Sequence, residues 1–81
     1  MKKNENQKYI LKLTPYGRLD LQGYYTGLSE SENGIIASVI QDDEDARVQI
    51  FDGLQSITEE YLYILHRATN VSKNDVYFVK I

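Results

Sequence analysis

The sequence predicts an α+β fold: a four- to five-stranded, mainly antiparallel sheet with one helix, about residues 57–69, packed on one face. Three observations predict it. Short runs that alternate apolar and polar residues lie between turn signals. One run, Ile57, Tyr61, Ile64, Leu65 and Ala68, keeps helical spacing instead, with Leu62 at its margin. A final segment rich in β-branched and aromatic residues, VYFVKI, follows that helix. The 81 residues are 42% hydrophobic and 26% charged, which suits one globular domain over 8–81 behind a flexible start over 1–7.

Taken in order, KYILKLT (8–14) places Tyr9, Leu11 and Leu13 on one face and Lys8, Ile10, Lys12 and Thr14 on the other. Thr14-Pro15-Tyr16-Gly17 predicts a β-turn, because Pro supplies the fixed φ that its second position needs. A second strand near 18–27 then sets Leu19, Leu21, Gly23 and Tyr25 together, with a bulge expected at Gly23 or Gly27. Asn33-Gly34 signals a type I′ hairpin turn into a third strand, Ile35 to Ile40, whose lack of a polar face suits a central strand or an oligomer contact. Beyond it Asp42-Asp43-Glu44-Asp45 interrupts, and ARVQIF (46–51) alternates again. The pattern predicts a second hairpin, 35–40 with 46–51, carrying an acidic tip; the rival is a short helix starting at Asp42 or Asp43. Ser56 and Glu59 have the spacing of a capping box, and Asn70 is a suitable stop for the helix they begin. The last strand, 76–81, is open to parallel pairing through a crossover.

The charge is lopsided. Residues 30–45 contain Glu30, Glu32, Asp42, Asp43, Glu44 and Asp45 and no Lys or Arg, a charge of −6 that leaves +3 elsewhere (−3 minus −6). A basic stripe of the kind that binds nucleic acid is missing. There is no cysteine, and the basic start MKKNENQ has no apolar run behind it, so a cytoplasmic protein without disulfides, thiolate metal sites or a membrane span is expected. DDED does not space its acids as a calcium loop does: the sixth position from Asp42 is Arg47 rather than Gly, and the twelfth is Gly53 rather than Glu. His66 is the single histidine, and the glycines are too scattered for a phosphate loop. No enzyme, metal or cofactor is therefore expected. What remains is a docking surface of Asp42, Asp43, Glu44 and Asp45, backed by Glu30 and Glu32, with Tyr24 or Tyr25 as aromatic anchor. The plain alternative is a solvated acidic turn that keeps the protein soluble and a sheet edge unpaired.

The segments YILKL, GYYTGL, IIASVIQDDEDARVQIF, SITEEYLYIL and VYFVKI, taken together, resemble small accessory proteins of phages and prophages in low-GC Gram-positive bacteria. The chain departs from that pattern at Glu59-Glu60-Tyr61, where a small residue is usual, and at Val48-Gln49, which lengthen the run before Phe51. The resemblance implies no catalytic or binding residues. It implies a context, in which small acidic proteins bind and disable a host component. The leading expectation is thus a non-enzymatic inhibitor of a host protein with a basic surface, of the counter-defence or anti-CRISPR type. One alternative is a sponge for a nucleotide signal, with Tyr rings on the base and Arg18, Arg47 or Lys12 on phosphate. The other is an oligomer-forming accessory protein that associates through IIASVI and VYFVKI.

Overall fold

A computed structural model describes residues 7–81, so the predicted flexible start lies, but for Gln7, outside the described residues. The chain forms the predicted α+β arrangement, with five strands in one antiparallel sheet and a single α-helix among the described residues. The strands are β1 (Lys8–Leu13), β2 (Gly23–Ser31), β3 (Gly34–Ile40), β4 (Phe51–Asp52) and β5 (Val76–Lys80); the helix, α1, is Gly53–Arg67. β1 lies at the centre. One of its edges carries β5 along its whole length, from Tyr9↔Lys80 to Leu13↔Val76. Its other edge is shared, with β2 at Leu13↔Gly23 and Lys12↔Tyr24 and β4 at Tyr9↔Phe51 and Lys8↔Asp52.

That shared edge explains the largest departure from the sequence pattern. The predicted hairpin of 35–40 with 46–51 does not form, and neither does the rival helix at Asp42 or Asp43. β3 pairs only with β2, and residues 41–50 form a loop that brings the chain back between β1 and β2. There Gln49 donates from its backbone N–H to Tyr25 O (3.0 Å) and from its side chain to Thr26 O (3.1 Å). The alternation of ARVQIF has a different cause: Val48 is buried while its neighbours Arg47 and Gln49 are exposed. β3 is therefore an edge strand, not the central strand its apolar run suggested.

The strand predicted near 18–27 starts later, at Gly23. Residues 15–17 and 19–21 are two short 3-10 turns, the first passing through Tyr16 at φ +61. Arg18 donates to Asp20 through Nε (3.1 Å) and Nη2 (2.6 Å) across the second of them. The bulge expected at a glycine sits between Tyr25 and Gly27. The hairpin at Asn33-Gly34 forms, but its turn lies one residue earlier than the type I′ prediction. Ser31 pairs with Gly34 across Glu32-Asn33, and Asn33 keeps a negative φ while Gly34 takes +105°. Only the residue closing the turn needs glycine.

α1 begins before the predicted 57–69 helix and without its capping box. Gly53 (φ +86) turns the chain straight from β4 into the helix, and its N–H donates to Gln7 O (2.8 Å), so Ser56 lies inside the helix. Glu59 instead accepts from the Gln55 amide (3.3 Å). The helix face is as predicted: Ile57 and Ile64 are buried, joining Leu11, Leu13, Tyr25 and Ala37 in the core. Tyr61 faces the sheet and meets Phe78 edge-on with ring centroids 5.5 Å apart, whereas Tyr63 is exposed and accepts from Arg67 (3.1 Å). β5 pairs antiparallel to β1, not parallel to an earlier strand. The crossover is nonetheless there. β4 and β5 both oppose β1 and so share a direction, joined through α1, with β1 lying between them.

Asn70 does not stop the helix, which ends at Arg67. Its side chain enters the molecule and acts as a length of strand. The amide accepts from Ala37 N–H (2.9 Å) and donates to Ala37 O (3.0 Å), and Thr69 N–H donates to Ile35 O (2.9 Å). Residues 69–70 thus cover the outer edge of β3, and a reciprocal Ser72–Asp75 capping pair then turns the chain into β5.

Candidate docking surface

The six acids of the 30–45 segment do not form one patch. Glu30 and Glu32 lie at the β2–β3 turn, whereas Asp42–Asp45 follow the far end of β3. Seven residues of strand separate the groups by roughly 20 Å at ~3.3 Å per residue. Beyond about two Debye lengths at physiological ionic strength, the two groups cannot act as one field. The two tyrosines are also parted. Tyr25 points into the core and is 1% exposed, so it is no docking anchor; Tyr24 lies on the opposite face, half-buried, with Lys12 Nζ 5.8 Å from its ring centre. Tyr24 pairs with Ile40, and Gln41 donates to Gln22 O (2.6 Å), so Tyr24 stands at the same end of the hairpin as the acidic loop. Asp42, Asp43, Glu44 and Tyr24 thus remain at one end of the hairpin.

Asp45 belongs to the scaffold of that loop rather than to its surface. Its carboxylate receives Arg47 Nε (2.9 Å), Arg47 Nη2 (3.0 Å) and the Arg47 backbone N–H (2.8 Å). These bonds hold the Asp45 carboxyl down at about 2, below its ordinary 3.8, and raise the Arg47 guanidinium in turn. Asp42 accepts from Glu44 N–H through its side chain (2.9 Å) and from Asp45 N–H through its carbonyl (3.2 Å), so the acids lie on one turn, and a second follows it in which Val48 N–H donates to Asp45 O (3.1 Å). Asp42, Asp43 and Glu44 are exposed and form no ion pair among the described residues. No three His, Cys, Asp or Glu side chains among the described residues are grouped to hold a metal.

Two polar features had no sequence signal. One is the Asn70–Ala37 pairing. The other is the hydrogen bond from Tyr25 OH to Glu60 Oε2 (2.6 Å), which ties sheet to helix. Glu60 falls on the helix flank four residues from Ile64, which hints at its position, but its partner is 35 residues away in sequence. Burial, and after it the Glu60 hydrogen bond and charge, push the Tyr25 hydroxyl above the ordinary tyrosine value of 10.0. Because the folded value is raised, the unfolded chain ionises first: the Tyr25 contribution is complete below pH 10 and is lost as pH climbs above it. Tyr25→Phe should therefore cost about 1.5–3 kcal/mol at pH 8, by loss of a hydrogen bond to a charged group. In urea unfolding, the gap between wild type and variant should narrow by pH 11; a constant gap would mean the hydroxyl is not held protonated by the fold.

A cleft of about 460 Å³ opens at the start of α1, lined by Gln7, Tyr9, Gln55 and Ser56 with Asp52 and Glu59. Among the described residues its lining has two carboxylates and no cationic side chain, although Lys8 pairs with Asp52 at its margin. His66 is exposed on the last turn of α1. The chain matches no protein-family model, and no curated protein or solved structure is significantly similar to it. No helix among the described residues is long and apolar enough to cross a membrane.

Proposed function

We propose that this protein is a non-enzymatic binding module that docks on a basic surface of a partner protein through Asp42, Asp43 and Glu44, with Tyr24 as the neighbouring aromatic contact. One observation carries the proposal: three exposed carboxylates, with no ion pair among the described residues, stand on a turn that Asp45 and Arg47 brace. A pre-formed acidic loop loses little freedom on binding, and its field steers a basic partner toward it. The resemblance to small phage and prophage proteins supports an inhibitor of a cytoplasmic host protein, of the counter-defence or anti-CRISPR type, that acts by occupying a groove meant for nucleic acid.

The nucleotide sponge has less support. Arg18 and Arg47 are already committed to Asp20 and Asp45, and an anion in the cleft beside α1 would meet Asp52 and Glu59. Of the three cations named for phosphate, Lys12 is the one with no carboxylate partner among the described residues.

The discriminating variant is Asp42→Asn/Asp43→Asn/Glu44→Gln, which keeps Asp45 and so the loop. Used as bait in host lysate beside wild type, it should lose a basic partner that wild type retains at low salt. Association at low salt should slow on the order of tenfold or more, and the difference should fade as salt rises. Capture indifferent to both the substitutions and the salt would overturn the proposal.

A further inference from the structure

We infer that β5 is a dimerisation edge, and that two copies of the chain join their sheets by antiparallel β5–β5 pairing about a two-fold axis at Phe78. The backbone supplies the first argument. Thr14 N–H donates to Asp75 O and Ile81 N–H to Lys8 O, each at 2.9 Å, and these bonds bracket the β1–β5 ladder. In an antiparallel ladder alternate residues bond to the same neighbour, so Tyr77 and Val79 also turn their backbone groups toward β1. The N–H and C=O groups of Val76, Phe78 and Lys80 therefore point outward. No described residue pairs with them, since β5 has β1 as its one described neighbour.

The second argument is that the two sheet edges are treated differently. β3 has its outer edge covered at Ile35 and Ala37 by Thr69 and Asn70. β5 has no such cover among the described residues, no proline and no glycine, and one charged residue, Lys80. Native edges are ordinarily blunted against pairing, and a bare apolar edge is a template for another strand. Because β3 is closed where it would have to pair, an open-ended β5-to-β3 chain of copies is blocked. Self-pairing of β5 remains.

The third argument is self-complementarity. A two-fold at Phe78 sets Phe78 opposite its own copy and Val76 opposite Lys80, so all of the outward groups of these three residues find partners. On one face of the joined sheet Phe78 meets Phe78, each backed by its Tyr61. On the other face Tyr77 lies opposite Val79, an aromatic–β-branched pair of the favourable kind. Lys80 faces an apolar residue, not a like charge. The acidic loop and hairpin turn stand on the β3 side, with β2 and β1 in between, so two copies of net charge −3 meet away from those two acidic groups.

Exposed apolar side chains gather at the same edge. Tyr77, Phe78 and Ile81 remain 39–59% exposed, and Leu54 is exposed on the flank of α1 that carries Tyr61 toward Phe78. The axis runs normal to the sheet, so both helices lie on one face and these flanks oppose each other. The exposed parts of these four side chains come to on the order of 400 Å² per copy, which with the strand pairing makes a small interface, below the ~800 Å² per partner of a standard one.

The test is the solution mass of the full chain, read by light scattering and sedimentation, with two variants. Wild type at high micromolar concentration should show twice the 9.4 kDa chain mass. Lys80→Pro removes an outward N–H and leaves the ladder to β1 intact, so it should give a monomer with unchanged circular dichroism. Phe78→Cys adds the chain's only cysteine at the axis, where Cα atoms ~5.5 Å apart permit a disulfide; mild oxidation should cross-link it nearly completely. A wild-type monomer at millimolar concentration would overturn the proposal. So would a dimer that survives Lys80→Pro and leaves Phe78→Cys uncross-linked, since its contact would then lie elsewhere.

Discussion

Asn70→Ala should lower the melting temperature by about 10–30 °C, a far larger effect than a substitution in a connecting segment normally has. The Asn70 side chain is 3% exposed, and its two hydrogen bonds satisfy both the N–H and the C=O of buried Ala37. Alanine leaves those two backbone groups without partners, at about 1–3 kcal/mol each. For a chain of this size each kcal/mol moves the midpoint by roughly 4–8 °C. Asn70→Asp refines the test. A carboxylate can still accept from Ala37 N–H but sets a negative charge against Ala37 O. That variant should be as unstable as Asn70→Ala at neutral pH, and it should recover part of the loss as the carboxyl is protonated. Thermal denaturation of the three proteins from pH 4 to pH 8 decides the matter. A loss below ~1 kcal/mol for Asn70→Ala would mean that water takes over the amide's role.

Leu11→Ala should cost about 3–5 kcal/mol, which is a large share of the roughly 4–12 kcal/mol total stability usual at this length. Leu11 is 0% exposed in the middle of β1, the one strand that touches β2, β4 and β5. Its loss opens a cavity under α1 that the rigid centre of the sheet cannot collapse to fill. Leu19→Ala is the matching control. The sequence pattern sets Leu19 on the side of Tyr25, but it is 73% exposed on a 3-10 turn, so its removal should change stability by less than about 0.5 kcal/mol. Urea unfolding of the pair separates them. Comparable losses would place residue 19 in the core after all.

Legibility from sequence followed the range of the forces involved. The α1 stripe, the β1 alternation, the Gly27 bulge and the bend at Asn33-Gly34 were all readable, because each depends on neighbours within a few residues. The segment after β3 was misread for the opposite reason. ARVQIF alternates as a strand would, yet β4 is two residues long, since the space open to it is the short gap where β1 and β2 part. The candidate docking surface shows the same division. The acids were visible as a run, but their separation by the length of β3, the loss of Asp45 to Arg47 and the burial of Tyr25 depend on where the chain turns.

By itself, then, the sequence determined the fold class, the helix face, the hairpin and the existence of an acidic loop, because periodicity and turn chemistry act locally. Tertiary structure alone decided that β1 is central, that Asn70 covers one sheet edge while β5 has β1 as its one neighbour among the described residues, and that the six acids divide into two groups at opposite ends of β3. Those outcomes rest on which backbone groups and charges, far apart in the chain, are brought within hydrogen-bonding distance, and no local pattern encodes that.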